Sequence, residues 1–206
     1  QHLLHLLAPT DRTAILGLSA TPGRSWLDPE EDRKLADFFA RRKVTLRVEG
    51  YSNPVEYLQR EGYLAHVEYV HLPYAPGDDF RLSAAELREL QDGLDLPDSV
   101  LRRLAADHQR NFLILTRLMQ EADHGSKILL FACSVEHAHT LANLLLTKGY
   151  GAAVVTGATP PNRRRQLIAQ YRDGDEIQIL VNYGVLTTGF DAPRTNVAVI
   201  ARPTRS

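Results

Sequence analysis

The 206-residue sequence predicts an α/β protein with a parallel β-sheet that carries helices on both faces. Two observations between residues 126 and 206 support this prediction. Short runs of apolar, β-branched residues alternate with amphipathic helical stretches, which is the order of a βαβ fold. The apolar runs are also nearly continuous, as is typical of strands that are buried on both faces. Crossovers between such strands are expected to be right-handed.

The elements of this region follow from the hydrophobic pattern and from capping residues. The predicted strands are 127–132, 151–155, 177–181 and 197–201. One helix is predicted from Ser134, as N-cap, to about residue 148, and Gly149 ends it. A second helix is predicted over 160–172, with Thr159 as its cap and Gly174 at its end.

The first half of the chain gives a more mixed pattern. The predicted strands are 12–18, 44–48 and 66–72, and the predicted helices are 29–42, 54–61 and 83–91. Ser83 and Glu86 form a capping-box pattern at the start of the last of these helices. A long amphipathic run over 98–123 predicts a helical element packed on the sheet, with apolar positions Leu101, Leu104, Ala105, Phe112, Leu115 and Met119.

Composition limits the class of protein. The hydrophobic fraction is 44% and the charged fraction 24%, which fits a globular domain and not a disordered chain. The net charge of −1 means that any nucleic-acid binding requires a local patch. The single Cys133 forbids an intrachain disulfide, and the sequence has no membrane-span or signal-peptide pattern, so a cytoplasmic location is expected. The chain begins with Gln1, and we expect it to be a piece of a longer protein.

Small polar residues follow several of the predicted strands. In a parallel sheet these strand ends meet at one edge, where ligands bind. Hydroxyls, amides and helix N-termini at such an edge bind phosphate without requiring a net positive charge. A basic cluster, 163–165, lies just inside a helix start. The polar strand ends are Ser19 and Thr21; Cys133 and Ser134; Thr156 and Gly157; and Asn182, Thr187 and Thr188.

Four segments match the motifs of one family in order and spacing. Ser19-Ala-Thr21 resembles helicase motif III, and residues 131–134 (Phe-Ala-Cys-Ser) resemble motif IV. Thr156-Gly157, followed by Arg164, Tyr171 and Gly174, resembles the segment called IVa, and residues 181–191 resemble motif V. Over residues 10–25 and 53–206 the chain therefore resembles superfamily 2 helicases and translocases, the DEAD/DEAH-like group that includes restriction-enzyme motor subunits and DNA-repair helicases.

The resemblance implies a RecA-like fold, related to P-loop NTPases, in two parts. Residues 1–50 would be a C-terminal remnant of a first RecA-like domain with its connector. Residues 51–206 would be the second RecA-like domain, truncated before motif VI, with a helical insertion at about 77–125. The implied nucleic-acid-binding residues are Ser134, Thr156, Gly157, Arg164, Asn182, Thr187 and Thr188, with Arg164 either bracing the domain or touching a backbone phosphate. Ser19 and Thr21 would couple this site to an ATP cleft that includes Gly189 and Asp191.

The resemblance also implies partners. The 206 residues contain neither a G-x-x-x-x-G-K-[ST] phosphate loop nor an Asp-Glu magnesium motif of the family. We therefore expect the intact protein to bind ATP and Mg²⁺. We expect this chain alone to bind neither of them and to hydrolyse no ATP. The expected partners are the first RecA-like domain of the same parent and a nucleic acid, with DNA favoured by residues 186–193; no membrane is expected.

Other interpretations stay open. A stand-alone RecA-like module could bind nucleic acid or protein without catalysis, and a sugar- or nucleotide-binding α/β domain is a variant of that reading. Cys133 and His137 could form a nucleophile and base, but the sequence offers no third group to orient them. The histidines have no metal-binding spacing, since His137 and His139 lie two apart on a predicted helix.

Overall fold

A computed structural model of the chain describes residues 16–18, 29–45, 47–75, 80–92, 96–186 and 190–203. The chain divides into two compact units, residues 1–69 and 70–206. The assignment of residues 1–50 and 51–206 to two RecA-like domains stays a prediction. No helix in the described ranges is long and apolar enough to cross a membrane.

Two short helices lie in the described part of the first unit, α1 (Pro29–Phe38) and α2 (Pro54–Arg60). The Asn53 side chain caps α2 by accepting the Val55 N–H at 2.9 Å. The strands predicted at 44–48 and 66–72 are wrong, because their described residues form irregular backbone. Val44 is 97% exposed and Tyr69 85% exposed, and alternation of apolar residues does not make a strand without a hydrogen-bonded neighbour. The predicted strand 12–18 lies mostly outside the described residues.

Three helices precede the sheet in the second unit: α3 (Ala84–Asp92), α4 (Asp98–Ala106) and α5 (His108–Asp123). The capping box of α3 is confirmed, since Ser83 N–H donates to Glu86 Oε2 at 2.8 Å and Glu86 N–H donates to Ser83 Oγ at 3.2 Å. The long helix predicted over 98–123 is broken at Asp107. This residue has extended backbone angles and accepts the Arg110 N–H at 2.8 Å, so it caps α5.

The break changes which side chains are buried. Val100 and Leu104 of α4 pack against Cys133. Ile114 and Leu118 of α5 enter the main core. Phe112, predicted on the inner face, is 67% exposed, because the helical phase restarts after Asp107 and turns this position outward.

The sheet has four parallel strands in the order β2-β3-β1-β4. The strands are β1 (Ile128–Phe131), β2 (Ala152–Thr156), β3 (Ile179–Tyr183) and β4 (Val197–Ile200). Helix α6 (Val135–Thr147) connects β1 to β2, and α7 (Pro161–Asp173) connects β2 to β3. Asn182 lies opposite Phe131 on one side and Val155 on the other, so the strands end at one level. We call this side of the sheet the carboxyl edge.

Alternating side chains of each strand enter two cores. Leu130 and Val181 pack with residues of α5 and α6 on one face. Leu129 and Leu180 pack with α7 on the other face, where Tyr171 is fully buried. The predicted parallel sheet with helices on both faces is therefore confirmed.

Gly151, just before β2, leads to a test of this packing. A Cβ atom built on Gly151 would lie 1.9 Å from the backbone oxygen of Glu176, whereas one on Gly157 would meet nothing within 4 Å. We expect Gly151→Ala to lower the free energy of unfolding by about 3 kcal/mol, because backbone on both sides must shift. Gly157→Ala is the matched control and should change it by less than about 0.5 kcal/mol. Urea unfolding at neutral pH measures both, and equal stability of the two variants would contradict the packing described.

Candidate functional site

The carboxyl edge brings together residues from three neighbouring strands. Thr156 ends β2, Asn182 lies in β3 and Ser134 follows β1, and β3 is the middle strand of the three. The convergence expected from a parallel sheet is therefore present for these residues. Ser19, Thr21, Thr187, Thr188 and Gly189 lie outside the described residues, so their predicted roles stay predictions.

Asn182 shapes the segment that follows β3. It is 1% exposed, and its Oδ1 accepts the backbone N–H groups of Val185 at 3.2 Å and Leu186 at 3.0 Å. These two bonds identify the other side-chain atom as the amide nitrogen. That Nδ2 is buried and has no hydrogen-bond partner in the described part of the chain. A buried donor without a partner is costly, so this amide is a candidate ligand contact.

The turn after β2 is held by side chains. Thr159 was predicted to cap α7, but the N-cap is Pro160, and the Thr159 hydroxyl instead accepts the Thr156 N–H at 2.9 Å. Arg164 Nη2 donates to the carbonyls of Thr156, Gly157 and Thr159 at 3.1, 3.2 and 3.2 Å. With these contacts the turn is fixed while Gly157 remains exposed, with open space where a side chain would begin.

Ser134 performs the capping role predicted for it. Its Oγ accepts the His137 N–H at 3.1 Å, at the start of α6. The pKa of exposed Glu136 is lowered, first by its own backbone N–H and then by the Ser134 hydroxyl, so this carboxylate lies close to the start of α6. An anion that approaches Ser134 would meet this carboxylate.

The candidate ATP-cleft residue Asp191 is exposed. Its neighbour Phe190 packs into the α7-side core and stacks on Tyr171 with ring centroids 6.4 Å apart. Leu186, also within motif V, enters the same core. Leu186 and Phe190 are thus both packed beside α7.

Cys133 and His137 form a buried network of a different kind from a catalytic pair. Cys133 N–H donates to His137 Nδ1 at 3.1 Å, so His137 carries its proton on Nε2, which donates to Asn111 Oδ1 at 2.9 Å. The third group that the sequence did not reveal is therefore Asn111. The thiol, however, donates to the Ala201 carbonyl at 3.2 Å and not to the imidazole, and burial raises the pKa of Cys133. The arrangement does not generate a thiolate nucleophile.

Arg110 completes the network. Its Nη1 lies 3.8 Å from Cys133 Sγ, and its Nη2 donates to the Ala201 carbonyl. The guanidinium thus ties α5 to the ends of β1 and β4. Burial, and then the charge of Arg110, lower the pKa of His137 to about 4. No local signal could have identified Arg110 or Asn111, because Arg110 is 91 residues from Ala201 in the sequence.

The network predicts a pH dependence of stability. Because the pKa of His137 falls from 6.5 to about 4 on folding, the unfolded chain takes up this proton first as the pH is lowered. The stabilisation is complete above pH 6.5 and is lost towards pH 4. We expect His137 to account for about 2 kcal/mol of lost stability between pH 7 and pH 5.

Urea unfolding of wild type and His137→Asn at pH 7, 6 and 5 measures this contribution of His137 to the free energy of unfolding. The variant should be less stable at pH 7 and should have a shallower pH slope. His139→Asn, at an exposed position of the same helix, is the control. Parallel slopes for wild type and His137→Asn would contradict the assignment.

Comparisons with known proteins agree with the motifs. Residues 110–206 match the helicase conserved C-terminal domain family. The chain is 28% identical over 191 residues to a 51.5 kDa protein of a Lactococcus phage, covering 93% of this chain and 37% of that protein. It is 28% identical over 129 residues to the putative ATP-dependent helicase IRC3 of Saccharomyces cerevisiae, covering 63% of this chain and 16% of IRC3. The chain thus spans well under half the length of these relatives.

Among solved structures, the C-terminal part of the Fun30 ATPase domain is similar at a TM-score of 0.41 and 22% identity, over 46% of this chain and 31% of that one. The family match covers β1 to β4 with α6, α7 and most of α5. The resemblance to superfamily 2 helicases is confirmed by the match of residues 110–206 to the helicase conserved C-terminal domain family and by the similarity to a putative ATP-dependent helicase.

Proposed function

We propose that this chain is the C-terminal RecA-like part of an ATP-dependent DNA helicase or translocase, and that its carboxyl edge binds the backbone of one nucleic-acid strand. The observation that carries the proposal is the buried, unpartnered Nδ2 of Asn182 beside the exposed peptide of Gly157. Donors of this kind suit phosphate oxygens, which every sequence presents alike. A motor must move along any sequence, so it requires contacts of this class.

The order of the strands supports a path across the edge. Neighbouring strands are about 4.8 Å apart, so the groups after β2 and β1 are separated by roughly 10 Å with Asn182 between them. A strand of nucleic acid that crosses the edge would meet Thr156 and Gly157, then Asn182, then Ser134. At Ser134 the N-terminus of α6 adds its positive dipole, and phosphate would replace the carboxylate of Glu136.

Arg164 has a supporting role in this proposal. Its Nη2 is shared among three carbonyls of the turn after β2, which holds the Gly157 peptide in place. Its Nε is buried without a partner in the described residues. Arg164 therefore braces the turn, and Thr187 and Thr188 would extend the phosphate contacts on the motif V side.

The ATP side of the proposal rests on the family. Asp191 is exposed and its carboxylate can accept hydrogen bonds from a ribose, and Gly189, two residues earlier in the sequence, would belong to the same cleft. A first RecA-like domain of the parent would supply the phosphate loop and the Mg²⁺ site, and closure of the two domains would couple ATP to movement. Ser19 and Thr21, in a remnant of that domain within residues 1–50, would connect the two sites. Residues 51–206 would form the second domain, with the helices of 77–125 as an insertion.

The choice of DNA rests on residues 186–193, which resemble restriction- and repair-type motors. A second candidate is a stand-alone RecA-like module that binds nucleic acid or protein without hydrolysis. It rests on the same exposed Gly157 peptide and buried Asn182 amide, because binding of this kind requires no ATP. Both functions use the same carboxyl edge and differ in whether ATP is consumed by the parent.

Variants of the carboxyl edge test the strand-binding role. We expect Gly157→Ala to weaken binding of a labelled single-stranded DNA about tenfold, because its Cβ occupies the space that a phosphate would enter. Asn182→Asp keeps the acceptor for Val185 and Leu186 but removes the donor and adds charge, and it should weaken binding further. Fluorescence anisotropy at 50 mM and 200 mM salt measures both, with steep weakening in salt expected of wild type.

Exposed Ala169→Ser on α7 is the control and should bind as wild type does. Circular dichroism establishes that each variant is folded. Wild-type affinity for both edge variants would rule out this surface. If an RNA strand of the same sequence bound more tightly than the DNA strand, only the choice of DNA as the nucleic acid would be overturned.

The 206-residue chain by itself should not hydrolyse ATP. The physical reason is that it contains no phosphate loop to hold the β- and γ-phosphates. Phosphate release should stay at the level of a blank with and without single-stranded DNA. Turnover stimulated by DNA would contradict this expectation, whereas activity restored by adding the parent's upstream domain would support the motor over the stand-alone module.

A further inference from the structure

Strand β2 has one free side. It is the outer strand of the sheet and pairs only with β3 among the described strands. The carbonyl of Gly151 accepts the Ile179 N–H at 2.9 Å, so residues 151, 153 and 155 direct their peptide groups toward β3. The peptide groups of Ala152 and Val154 therefore point outward. These outward peptide groups make no hydrogen bond with any other described residue.

The free side ends at Thr156. Its outward N–H donates to the Thr159 hydroxyl, and its carbonyl accepts from Arg164. The free side of β2 thus consists of two residues, Ala152 and Val154. Each presents one outward N–H and one outward C=O. This is the hydrogen-bonding pattern that an added strand requires.

A groove of about 460 Å³ runs along this edge. Helix α6 forms one wall with Ala142 and Leu146, and α7 forms the other with Leu167. The groove exists because its floor and walls carry alanines where larger side chains would fill the space. These alanines are Ala142, Ala152, Ala153 and Ala158.

The charge of the groove is one-sided. Arg163 and His139 line it, and no Asp or Glu is among its described lining residues. Arg163 lies on the α7 wall and is exposed. A strand in the groove would direct alternate side chains toward the α6 wall, where Ala142 and Leu146 form an apolar part, and toward Arg163, because strand side chains alternate between faces.

We propose that this groove binds an extended segment of a partner protein, with alternating apolar and acidic residues, which adds to β2 as a fifth strand. The recessed edge favours a single slim segment over a second copy of the chain, whose own β2 lies equally recessed between two helices. The free peptide groups of Ala152 and Val154, with the apolar side chains of Ala142, Leu146 and Leu167 beside them, favour a peptide over nucleic acid. The groove excludes Ser134 and Asn182 but shares Thr156 with the carboxyl edge, so a bound peptide and a bound nucleic acid would meet at the end of β2.

The test uses the full 206-residue chain and two fluorescein-labelled heptapeptides, one of alternating Glu and Val and one of alternating Lys and Val. We expect the Glu–Val peptide to bind at least tenfold more tightly by anisotropy. Val154→Pro should reduce this binding at least tenfold, because proline removes the outward N–H at an edge position that tolerates it. Val154→Thr keeps the N–H and is the matched control, with less than a threefold change.

A second variant covers the case in which Val154→Pro fails to fold. Arg163→Glu should reverse the preference between the two peptides without altering circular dichroism. Equal affinity for the two peptides, or no binding at 1 mM, overturns the proposal. The proposal is also overturned if single-stranded DNA competes with the Glu–Val peptide and this competition is lost in Arg163→Glu. The groove would then be a nucleic-acid-binding surface. A dimer in sedimentation that Val154→Pro abolishes would assign the edge to a second copy instead.

Discussion

The neutral imidazole of His137 is the interaction on which the carboxyl edge depends. It accepts a backbone N–H at the end of β1 with Nδ1 and donates to Asn111 of α5 with Nε2. Arg110, one residue away on α5, reaches the carbonyl of Ala201 after β4. Two strand ends and two helices thus meet at one ring, and the start of α6, where Ser134 lies, is fixed by the same contacts. A protonated ring could not accept the Cys133 N–H. The hydrogen-bond geometry at the end of β1 therefore requires a neutral His137 imidazole.

The candidate site shows how a parallel sheet concentrates ordinary polar groups. None of Ser134, Gly157 or Asn182 has unusual chemistry, and each makes contacts within its own turn or helix start. The register of β1, β2 and β3 places them at one level. Two groups remain available to a ligand, the buried amide nitrogen of Asn182 and the exposed peptide of Gly157. Under the proposed function such a surface needs no catalytic group, because it would only hold and release a uniform polymer.

The sequence predicted the elements whose cause is local or whose partners lie in the same sheet. Strands β1 to β4 have continuous apolar runs, and the caps Ser83 and Ser134 act within four residues. The errors have non-local causes. Strands at 44–48 and 66–72 lacked a neighbour, which alternation cannot reveal. The break at Asp107 is an N-cap hidden inside an uninterrupted helical pattern. At the site, the carboxyl edge was predictable, whereas Arg110 and Asn111 depend on contacts that only the folded chain brings together.

The contacts of Thr159 and Arg164 with Thr156 also determine how far the edge of the sheet can be extended. They occupy the peptide groups beyond Val154, and the turn before β2 is closed by Gly151 against Glu176. An edge of two residues is too short to template the long, repeating strand pairing of cross-β fibres. The same side chains that shape the turn after β2 therefore limit aggregation through the outer side of this strand.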